Sequence, residues 1–178
     1  METQSVSARN GHGLGKVVLP DIFLIAGEGV KGDAHRGVTV KHRSRVTKDP
    51  TQSNLRQVHL IHSELLDEIS AKGFEVAPGE LGENILTRGV DLLGLSEGSI
   101  ITFASGAAIR VTGLRNPCNQ LNGLLSGLMN ALLDHTSDGS LIRKGGIMGV
   151  VSVGGRICAG DAIMVTLPVG PYCPLKPV

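Results

Sequence analysis

The stretch GLRNPCNQL, residues 113–121, places a thiol between a strand-like run and a leucine-rich segment. Asn116 is predicted to cap a helix, and Pro117 suits the first helical position, where a missing N–H does no harm. Cys118 would then lie in the first helical turn, three residues from Arg115. The helix N-terminus and the Arg115 cation would both favour its thiolate. Such a thiolate could be a nucleophile, a sulfur carrier or a soft metal ligand, and the alternative is a small buried hydrophobic residue.

A second polar group is the stretch GVKGDAHRG, residues 29–37, where four functional side chains stand between glycines. Lys31 and Arg36 suit an oxyanion, and Asp33 with His35 suits orientation or proton transfer. Glycines would let the backbone approach a ligand closely. The alternative is a polar turn with an Asp cap.

A strand is predicted over LRQVHLIH, where alternation places His59 on the same face as Gln57 and Ile61. His59 could therefore line a cavity, although a structural histidine is the commoner case. Arg56 lies on the opposite face in this pattern. Farther along, PGELGENI carries Glu83 and Asn84, which could bind backbone amides and fix that loop.

Composition restricts the class of protein. The 178 residues suit one domain, the formal net charge is +1, and there is no tryptophan. This balance gives no basic field for nucleic acid or an anionic membrane, and few rings on which bases could stack. The cysteines, Cys118, Cys158 and Cys173, form no CxxC pair, so neither a zinc pattern nor a disulfide framework is predicted. We expect a cytoplasmic protein with free thiols.

The fold is predicted to be mostly β with a few helices. Short runs rich in Val and Ile alternate with glycine-containing turns. The segment SELLDEISAKG predicts one helix with Ser63 as N-cap, and a leucine stripe after Pro117 predicts another. Gly154 and Gly155, between two alternating runs, predict a β-hairpin near the end of the chain.

Three regions are expected along the chain. Residues 1–16 are polar and lack the apolar core of a secretory signal, so they predict a loose leader. Residues 17–167 form the domain, and the proline-rich residues 168–178 predict an irregular tail.

Taken in order, these motifs resemble the MOSC domain family, named after the C-terminal domain of molybdenum cofactor sulfurases. The stretches that carry the resemblance are GVKGDAHRG, RQVHLIHSE, PGELGENI, GLRNPCNQL and GGRICAGDAI. It implies a closed, predominantly antiparallel β-barrel. It also implies the molybdenum cofactor, a pterin with a dithiolene and a phosphate, as the ligand.

The resemblance implies roles for the residues above. Cys118 matches the family's characteristic cysteine and would ligate molybdenum or carry a persulfide sulfur, with Arg115 favouring its thiolate. His35 and His59 would donate protons or orient groups. The cofactor would be held or braced by the remaining candidates, which are Lys31, Asp33, Arg36, Arg56, Glu83, Asn84 and Asn116.

Alternatives to this sulfur or metal transfer remain open. One is molybdenum-dependent reduction of N-hydroxylated compounds with an electron-transfer protein, and another is a non-catalytic cofactor carrier. The chain is too short for the pyridoxal-phosphate domain of full sulfurases, so no pyridoxal phosphate is expected and sulfur would come from a separate donor. The sequence leaves the oligomeric state open. In GVKGDAHRG, Ala34 precedes the histidine where the family often has arginine, which leaves open which cation of this loop contacts the ligand.

Overall fold

The computed structural model describes the backbone of residues 1–178 and all side chains except those of residues 43 and 44. Strands dominate the described chain, which confirms the mostly-β prediction. Their bounds are β1 Glu2–Ala8, β2 Val17–Leu19, β3 Asp21–Ile25, β4 Gly29–Val30, β5 Val58–His62, β6 Ile85–Arg88, β7 Ile100–Phe103, β8 Ala108–Leu114, β9 Leu133–His135, β10 Leu141–Arg143, β11 Ile147–Val153, β12 Gly155–Cys158 and β13 Ile163–Thr166. The helices are α1 Arg43–Val46, α2 Ser63–Ala71, a 3₁₀ helix Asn119–Gly123 and α3 Leu128–Ala131.

The main sheet has the strand order β13-β7-β8-β11-β5-β6-β1-β2. Its described pairs are antiparallel except for β5 and β6, which run parallel with Leu60 opposite Ile85. The parallel pair is possible because α2 makes the crossover between these two strands. The central strands β8, β11 and β5 carry the cavity described below at one of their ends, next to residues 115–118 and 145–146.

The closed barrel expected from the family resemblance is not found as a continuous ring of strand pairs. Within the described chain, the edge strands β13 and β2 do not pair with each other. The region of β13 meets the start of the chain through an isolated bridge between Glu2 and Ala162. Three backbone hydrogen bonds accompany it: Thr3 N to Asp161 O at 2.8 Å, Gly160 N to Thr3 O at 2.7 Å and Ile163 N to Met1 O at 3.0 Å. A small sheet, β12-β3-β4, packs against the main sheet, because Ile22, Leu24 and Ile157 belong to the same apolar cluster as residues of the main sheet.

The predicted leader is wrong for residues 2–8, because they form β1 in the main sheet. Thr3, Val6 and Ser7 are at most 1% exposed, and β1 pairs with β6 and β2. The segment ETQSVSA is mostly polar in sequence, yet its backbone supplies a row of donors and acceptors that a sheet edge can use. The polar composition of this segment therefore gave no sign of a strand, because pairing with β2 and β6 is what forms it.

The predicted hairpin at Gly154 and Gly155 is also wrong. The strands on either side, β11 and β12, lie in different sheets, and β12 pairs with β3. A side chain at Gly154 would place its Cβ 2.9 Å from the carbonyl oxygen of Leu24. The glycine pair thus lies where the chain passes close to β3. Such a close approach, like a tight turn, favours residues without a Cβ.

The first predicted helix is confirmed as α2, but its cap is not Ser63. Ser63 is the first helical residue, and His62 occupies the cap position without a side-chain cap bond. Leu65 and Ile69 are fully buried, as the apolar stripe predicted. Burying side chains of this size stabilises the fold by about 1.5–3 kcal/mol each, which outweighs a missing cap of about 1 kcal/mol.

The second predicted helix is replaced by a 3₁₀ helix and the single turn α3. Gly127 adopts φ +85°, a left-handed conformation that a right-handed helix cannot continue through. The stripe still packs as a unit, because Leu121, Leu128 and Leu132 are buried together against α2 and β6. The leucine spacing therefore predicted the buried face correctly and the backbone wrongly.

Strand β5 separates two apolar clusters. Val58 and Leu60 belong to the larger cluster inside the sheets, whereas Ile61 belongs to the smaller cluster under α2 and the 3₁₀ helix. The predicted alternation of this strand is confirmed, and it directs the His59 side chain away from the larger cluster.

The final residues lack regular structure, as predicted, but they pack against the sheet. Leu175 is 9% exposed, Leu114 N donates to Lys176 O at 2.8 Å, and Pro177 and Val178 reach the cavity. Among the described residues, no helix combines the length and the apolarity needed to cross a bilayer.

Candidate functional site

A cavity of about 1190 Å³ opens at the end of β8 and β11 and collects most of the candidate residues. In the part of the chain that the structure describes, seven lysines or arginines line it, against two acidic residues, Asp49 and Glu80. Four histidines also line it: His12, His35, His42 and His59. The protein as a whole is almost neutral, so this concentration of positive charge is local. It makes the cavity suitable for an anionic ligand.

Cys118 lies in the cavity wall, half-buried, immediately after the chain leaves β8. It occupies the cap position of the 3₁₀ helix in an extended conformation, φ −121° and ψ 160°, and not the first turn of an α-helix. Its Sγ lies 3.7 Å from Gln120 Oε1. The expected support from an α-helix dipole is therefore absent, since this helix is only five residues long.

Two arginines, and not a helix dipole, supply the positive charge near the thiol. Arg56 and Arg115 both line the cavity, and in the described structure neither guanidinium has a side-chain hydrogen bond or an ion pair. Burial, with Arg45 and Arg115, lowers the pKa of Arg56 to about 10, and a negative charge on Cys118 opposes that change. Burial also lowers the pKa of Arg115, again opposed first by Cys118. Both cations are therefore within electrostatic range of the sulfur.

Arg115 carries the clearest unsatisfied group in the cavity wall. Its Nη1 is buried without a hydrogen-bond partner among the described atoms. Its backbone is fixed, because its N–H donates to Gly146 O at 3.0 Å. A buried donor left unpaired costs about 1–3 kcal/mol, so this atom favours a ligand that accepts a hydrogen bond.

Asp33 anchors the wall of the cavity through a buried ion pair. Its Oδ2 lies 2.8 Å from Lys16 Nζ, and the two side chains are 0% and 6% exposed. Burial opposes ionisation, but bonds from His35 and the Lys16 ammonium hold the pKa of Asp33 well below its usual range. For Lys16, burial is the larger effect and its pKa is lowered despite Asp33. The pair joins two segments that the sequence places 17 residues apart.

The histidines form the outer part of the cavity. Asp33 Oδ1 accepts a bond from His35 N at 2.9 Å and lies 3.3 Å from His35 Nδ1, which orients the ring. The rings of His12 and His35 meet edge to face with centroids 5.4 Å apart. Burial, followed by the charge of Arg56, lowers the pKa of His42. This rim can hold and move protons near an anion.

His59 is held deeper in the wall, only 4% exposed. Its Nε2 lies 2.8 Å from Gly145 O, and its backbone N donates to Asn84 Oδ1 at 3.2 Å. Burial and the charge of Arg115 lower the pKa of His59 well below its usual value. The ring is therefore neutral at pH 7, and its Nε2–H donates to that carbonyl.

Asn84 links the two halves of the site. Its Oδ1 accepts from His59 N, and its Nδ2 donates to Asp33 Oδ2 at 3.0 Å and to Ser7 O at 3.1 Å. One fully buried amide thus connects β5, β1 and the loop of Asp33. Its side chain has little capacity left for a ligand.

Glu83 is buried beside this network and does not line the described cavity. Its Oε1 accepts a short hydrogen bond from Gly79 N, whereas Oε2 is buried without a partner among the described atoms. Burial raises the pKa of Glu83, partly opposed by that backbone bond and by Lys16. Its geometry is that of a loop brace, because the side chain binds a backbone amide of its own loop.

Glu83→Gln is expected to flatten the pH dependence of stability above the ordinary carboxyl pKa of 4.5. A group whose folded pKa is raised contributes stability below its unfolded pKa and loses it as pH rises through the folded value. The native protein should therefore lose stability, on the order of 1 kcal/mol, as pH rises toward 7. Urea unfolding at several pH values checks this, with the exposed Glu97→Gln as control. Parallel profiles for the native protein and Glu83→Gln would contradict the expectation.

Two predicted cofactor contacts lie outside the cavity. Lys31 is exposed and does not line it, and Arg36 is exposed and pairs with Glu28 at 2.7 Å. The loop GVKGDAHRG turns Asp33 inward, so the two cations on either side of that turn face solvent. Neither side chain reaches the described cavity, and a contact of Lys31 or Arg36 with a cofactor stays a prediction. Asn116 does line the cavity, but it is not a helix cap, and its Oδ1 accepts from Arg143 Nε at 2.8 Å.

Several cavity residues escaped the sequence analysis. Lys16 and His12 were assigned to a leader, although the lysine follows a glycine-rich turn that leads directly into β2. Asn54 donates to His35 O and Gly37 O and accepts from Arg56 N, so it fixes two candidate segments at once. The dipeptide Gly145-Gly146 is a sequence signal for the close approach of backbone in this wall.

The described residues contain no group of three or more His, Cys, Asp or Glu side chains arranged to hold a metal ion. This excludes only a metal site built from such side chains.

Comparisons with known proteins agree on one family. The family model described as MOSC domain matches residues 47–164. YuaD of Bacillus subtilis (strain 168), whose name assigns it to metal-sulfur cluster biosynthesis, is 33% identical over 150 residues, covering 77% of this chain and 76% of its own.

Solved structures agree in fold. The crystal structure of the YuaD protein from Bacillus subtilis superposes with a TM-score of 0.76 at 25% identity, covering 92% of this chain and 94% of that one. The crystal structure of YiiM from Escherichia coli gives a TM-score of 0.62 at 20% identity, covering 97% of this chain and 73% of that one. The second likeness concerns the fold alone.

Proposed function

Because the chain belongs to the MOSC domain family, we propose that it binds the molybdenum cofactor in the basic cavity, with Cys118 as its reactive group. Cys118 either ligates molybdenum or carries a transferable sulfur atom. The observation that carries the proposal is the convergence of this thiol with two unpaired arginines, one of which has a buried, unsatisfied donor.

The residues present fit the chemistry of that cofactor. Its phosphate needs cationic donors, and Arg56 and Arg115 offer guanidiniums that no described side chain engages. The cavity of about 1190 Å³ is large enough for a ligand of this size. A thiolate is a suitable soft ligand for molybdenum, which supplies redox and sulfur chemistry when the cofactor is bound.

The surrounding residues have separate tasks in this proposal. Arg115 and Arg56 bind the anionic part of the ligand beside Cys118. His35, oriented by Asp33, holds or moves a proton at its Nε2, which faces away from the carboxylate. His59 and Asn84 fix the wall through buried bonds and position the other groups.

The sulfur branch of the proposal has support from a relative. YuaD carries a name that refers to metal-sulfur cluster biosynthesis, and it covers most of this chain. A sulfur carrier needs a nucleophilic thiol in a cavity with access for a donor, and half-buried Cys118 meets that need. The donor would be a separate molecule, since the chain is proposed to hold no pyridoxal phosphate.

Cys118→Ala is expected to remove most of the bound molybdenum, or all of the transferable sulfur, from the purified protein. The protein would be produced in a host that makes the cofactor, and molybdenum and pterin would be measured per chain. Persulfide would be measured by intact mass as an added sulfur atom. The loss follows because the thiolate is the soft ligand and the nucleophile that the described cavity offers.

Cys173→Ala is the matched control, because Cys173 is exposed and outside the cavity lining. It should retain metal, pterin and persulfide at native levels. Retention of metal and sulfur by Cys118→Ala would overturn the role of this residue. Absence of both metal and pterin from the native protein would overturn cofactor binding itself.

A further inference from the structure

We propose that the cavity accepts sulfur from a small sulfane-sulfur oxyanion of the thiosulfate type, which Arg56 and Arg115 hold against Cys118. This inference rests on the sulfur-carrier branch of the proposed function and adds the chemical class of the donor. The geometry that points to it is a thiol and two unengaged guanidiniums in one cavity wall.

The two arginines form an oxyanion site independently of the cofactor. Each guanidinium presents several N–H donors in a planar fork that matches the oxygens of a sulfonate, sulfate or phosphate group. Two other cations of the cavity are already engaged: Lys16 pairs with Asp33, and Arg143 donates to Asn116. Lys41, Arg45 and Lys48 also line the cavity, but Arg115 has a buried donor that no described atom accepts, and Arg56 lies within electrostatic range of Cys118.

Charge explains why a dianion suits this place. The charge of Arg115 contributes to the lowered pKa of Arg56, after burial and the charge of Arg45. No carboxylate of the described structure pairs with either guanidinium. An incoming group with two negative charges would relieve this repulsion and satisfy Arg115 Nη1, whereas an uncharged sulfur compound would do neither.

The transfer step balances without an added oxidant or reductant. The thiol of Cys118 first loses its proton to solvent or to the histidine rim. The thiolate then attacks the outer sulfur of thiosulfate, and a new S–S bond forms at Sγ. The S–S bond of thiosulfate breaks, and sulfite leaves with its electron pair. One thiolate and one thiosulfate dianion give one persulfide anion and one sulfite dianion.

The test uses the full chain, freed of bound sulfur by reduction, and thiosulfate as the probe. Sulfite release and the added sulfur atom on the Cys118 peptide are measured together, and both are expected at one equivalent per chain. Arg56→Gln is expected to slow the reaction by about tenfold or more, because a charge-assisted hydrogen bond is lost. Arg110→Gln removes one positive charge from an exposed position outside the cavity and should leave the rate unchanged.

Inorganic polysulfide separates this inference from the proposed function. It also delivers sulfur to a thiolate, but it has no oxygen atoms for the guanidinium fork to bind. Arg56→Lys, which keeps the charge and loses the fork, should react normally with polysulfide and slowly with thiosulfate. Circular dichroism and the polysulfide rate show whether each variant is folded and its thiol accessible.

Each outcome of these measurements supports or overturns a stated part of the proposal. Sulfite release that depends on Cys118 and on the Arg56 fork supports the inference. Persulfide from polysulfide without sulfite from thiosulfate would overturn the donor class and leave Cys118 as a sulfur carrier. Equal thiosulfate rates for the native protein and both Arg56 variants would overturn the oxyanion site. No persulfide from either donor would overturn the sulfur branch, while molybdenum and pterin content still tests cofactor binding.

Discussion

Asp33→Ala is expected to lower the free energy of unfolding by about 3–5 kcal/mol, the range for breaking a buried ion pair on one side. The carboxylate is 0% exposed and lies 2.8 Å from the Lys16 ammonium, which is itself only 6% exposed. Removing it leaves that cation buried without its partner and removes the acceptor for Asn84 and for the His35 backbone. Urea unfolding at pH 7 measures the change.

The double variant Lys16→Met, Asp33→Ala is the control for this interpretation. Replacing both charges removes the uncompensated cation, so the double variant should recover part of the free energy of unfolding that Asp33→Ala loses. Because the pKa of Asp33 is held below its usual 3.8, its contribution is present above that value and is lost as pH falls through the folded pKa. The cost of Asp33→Ala should therefore diminish in strong acid. A cost below about 1 kcal/mol at pH 7 would contradict the pair's structural role.

Gly146→Ala is expected to cost about 3 kcal/mol or more, or to prevent folding. Gly146 adopts φ +86°, where an alanine is strained by about 1–2 kcal/mol. A Cβ at this position would also lie 2.2 Å from Leu60 O, a backbone atom of the central strand β5. Moving that strand would disturb the bond between His59 and Gly145 O. Denaturant unfolding reports the stability, and persulfide formation at Cys118 reports the site.

Gly139→Ala separates the two parts of that cost. Gly139 has nearly the same backbone, φ +83°, but a Cβ there meets no atom within 4 Å. It should cost only the conformational strain of about 1–2 kcal/mol and leave Cys118 reactivity intact. Equal costs for the two variants would show that the contact with β5 is relieved easily.

The sequence predicted the elements well wherever an apolar pattern was strong. Helix α2 and the alternating faces of β5 follow from the spacing of Leu65, Ile69, Val58 and Leu60, and burial of these residues bears that out. Prediction failed at β1, where the segment is polar and pairing with β6 and β2 decides the structure. It also failed at Gly154 and Gly155, where the glycines allow the chain to pass close to β3 and do not form a hairpin turn.

The candidate site was predicted only in part, because the sequence shows the type of each side chain and not its direction. Side chains can be nominated by type, and Cys118, Arg115, Arg56, His35 and His59 do line one cavity. Lys31 and Arg36 were nominated by the same argument and face solvent. Residue type cannot show which way a loop turns, and the inward turn at Asp33 is fixed by Lys16 and Asn84 from distant segments.

The sequence by itself determined the mostly-β class of the fold and the family, and it nominated Cys118 as the candidate thiol. These depend on composition, on local periodicity and on the order of short motifs, all of which can be read along the chain. Only the tertiary structure decided what surrounds Cys118: two unengaged arginines, a neutral His59, and a short 3₁₀ helix in place of an α-helix. Charge and solvation depend on contacts between segments such as Lys16 and Asp33 or Asp33 and Asn84, the latter 51 residues apart. No local pattern contains those contacts, because they form only when the strands are in register.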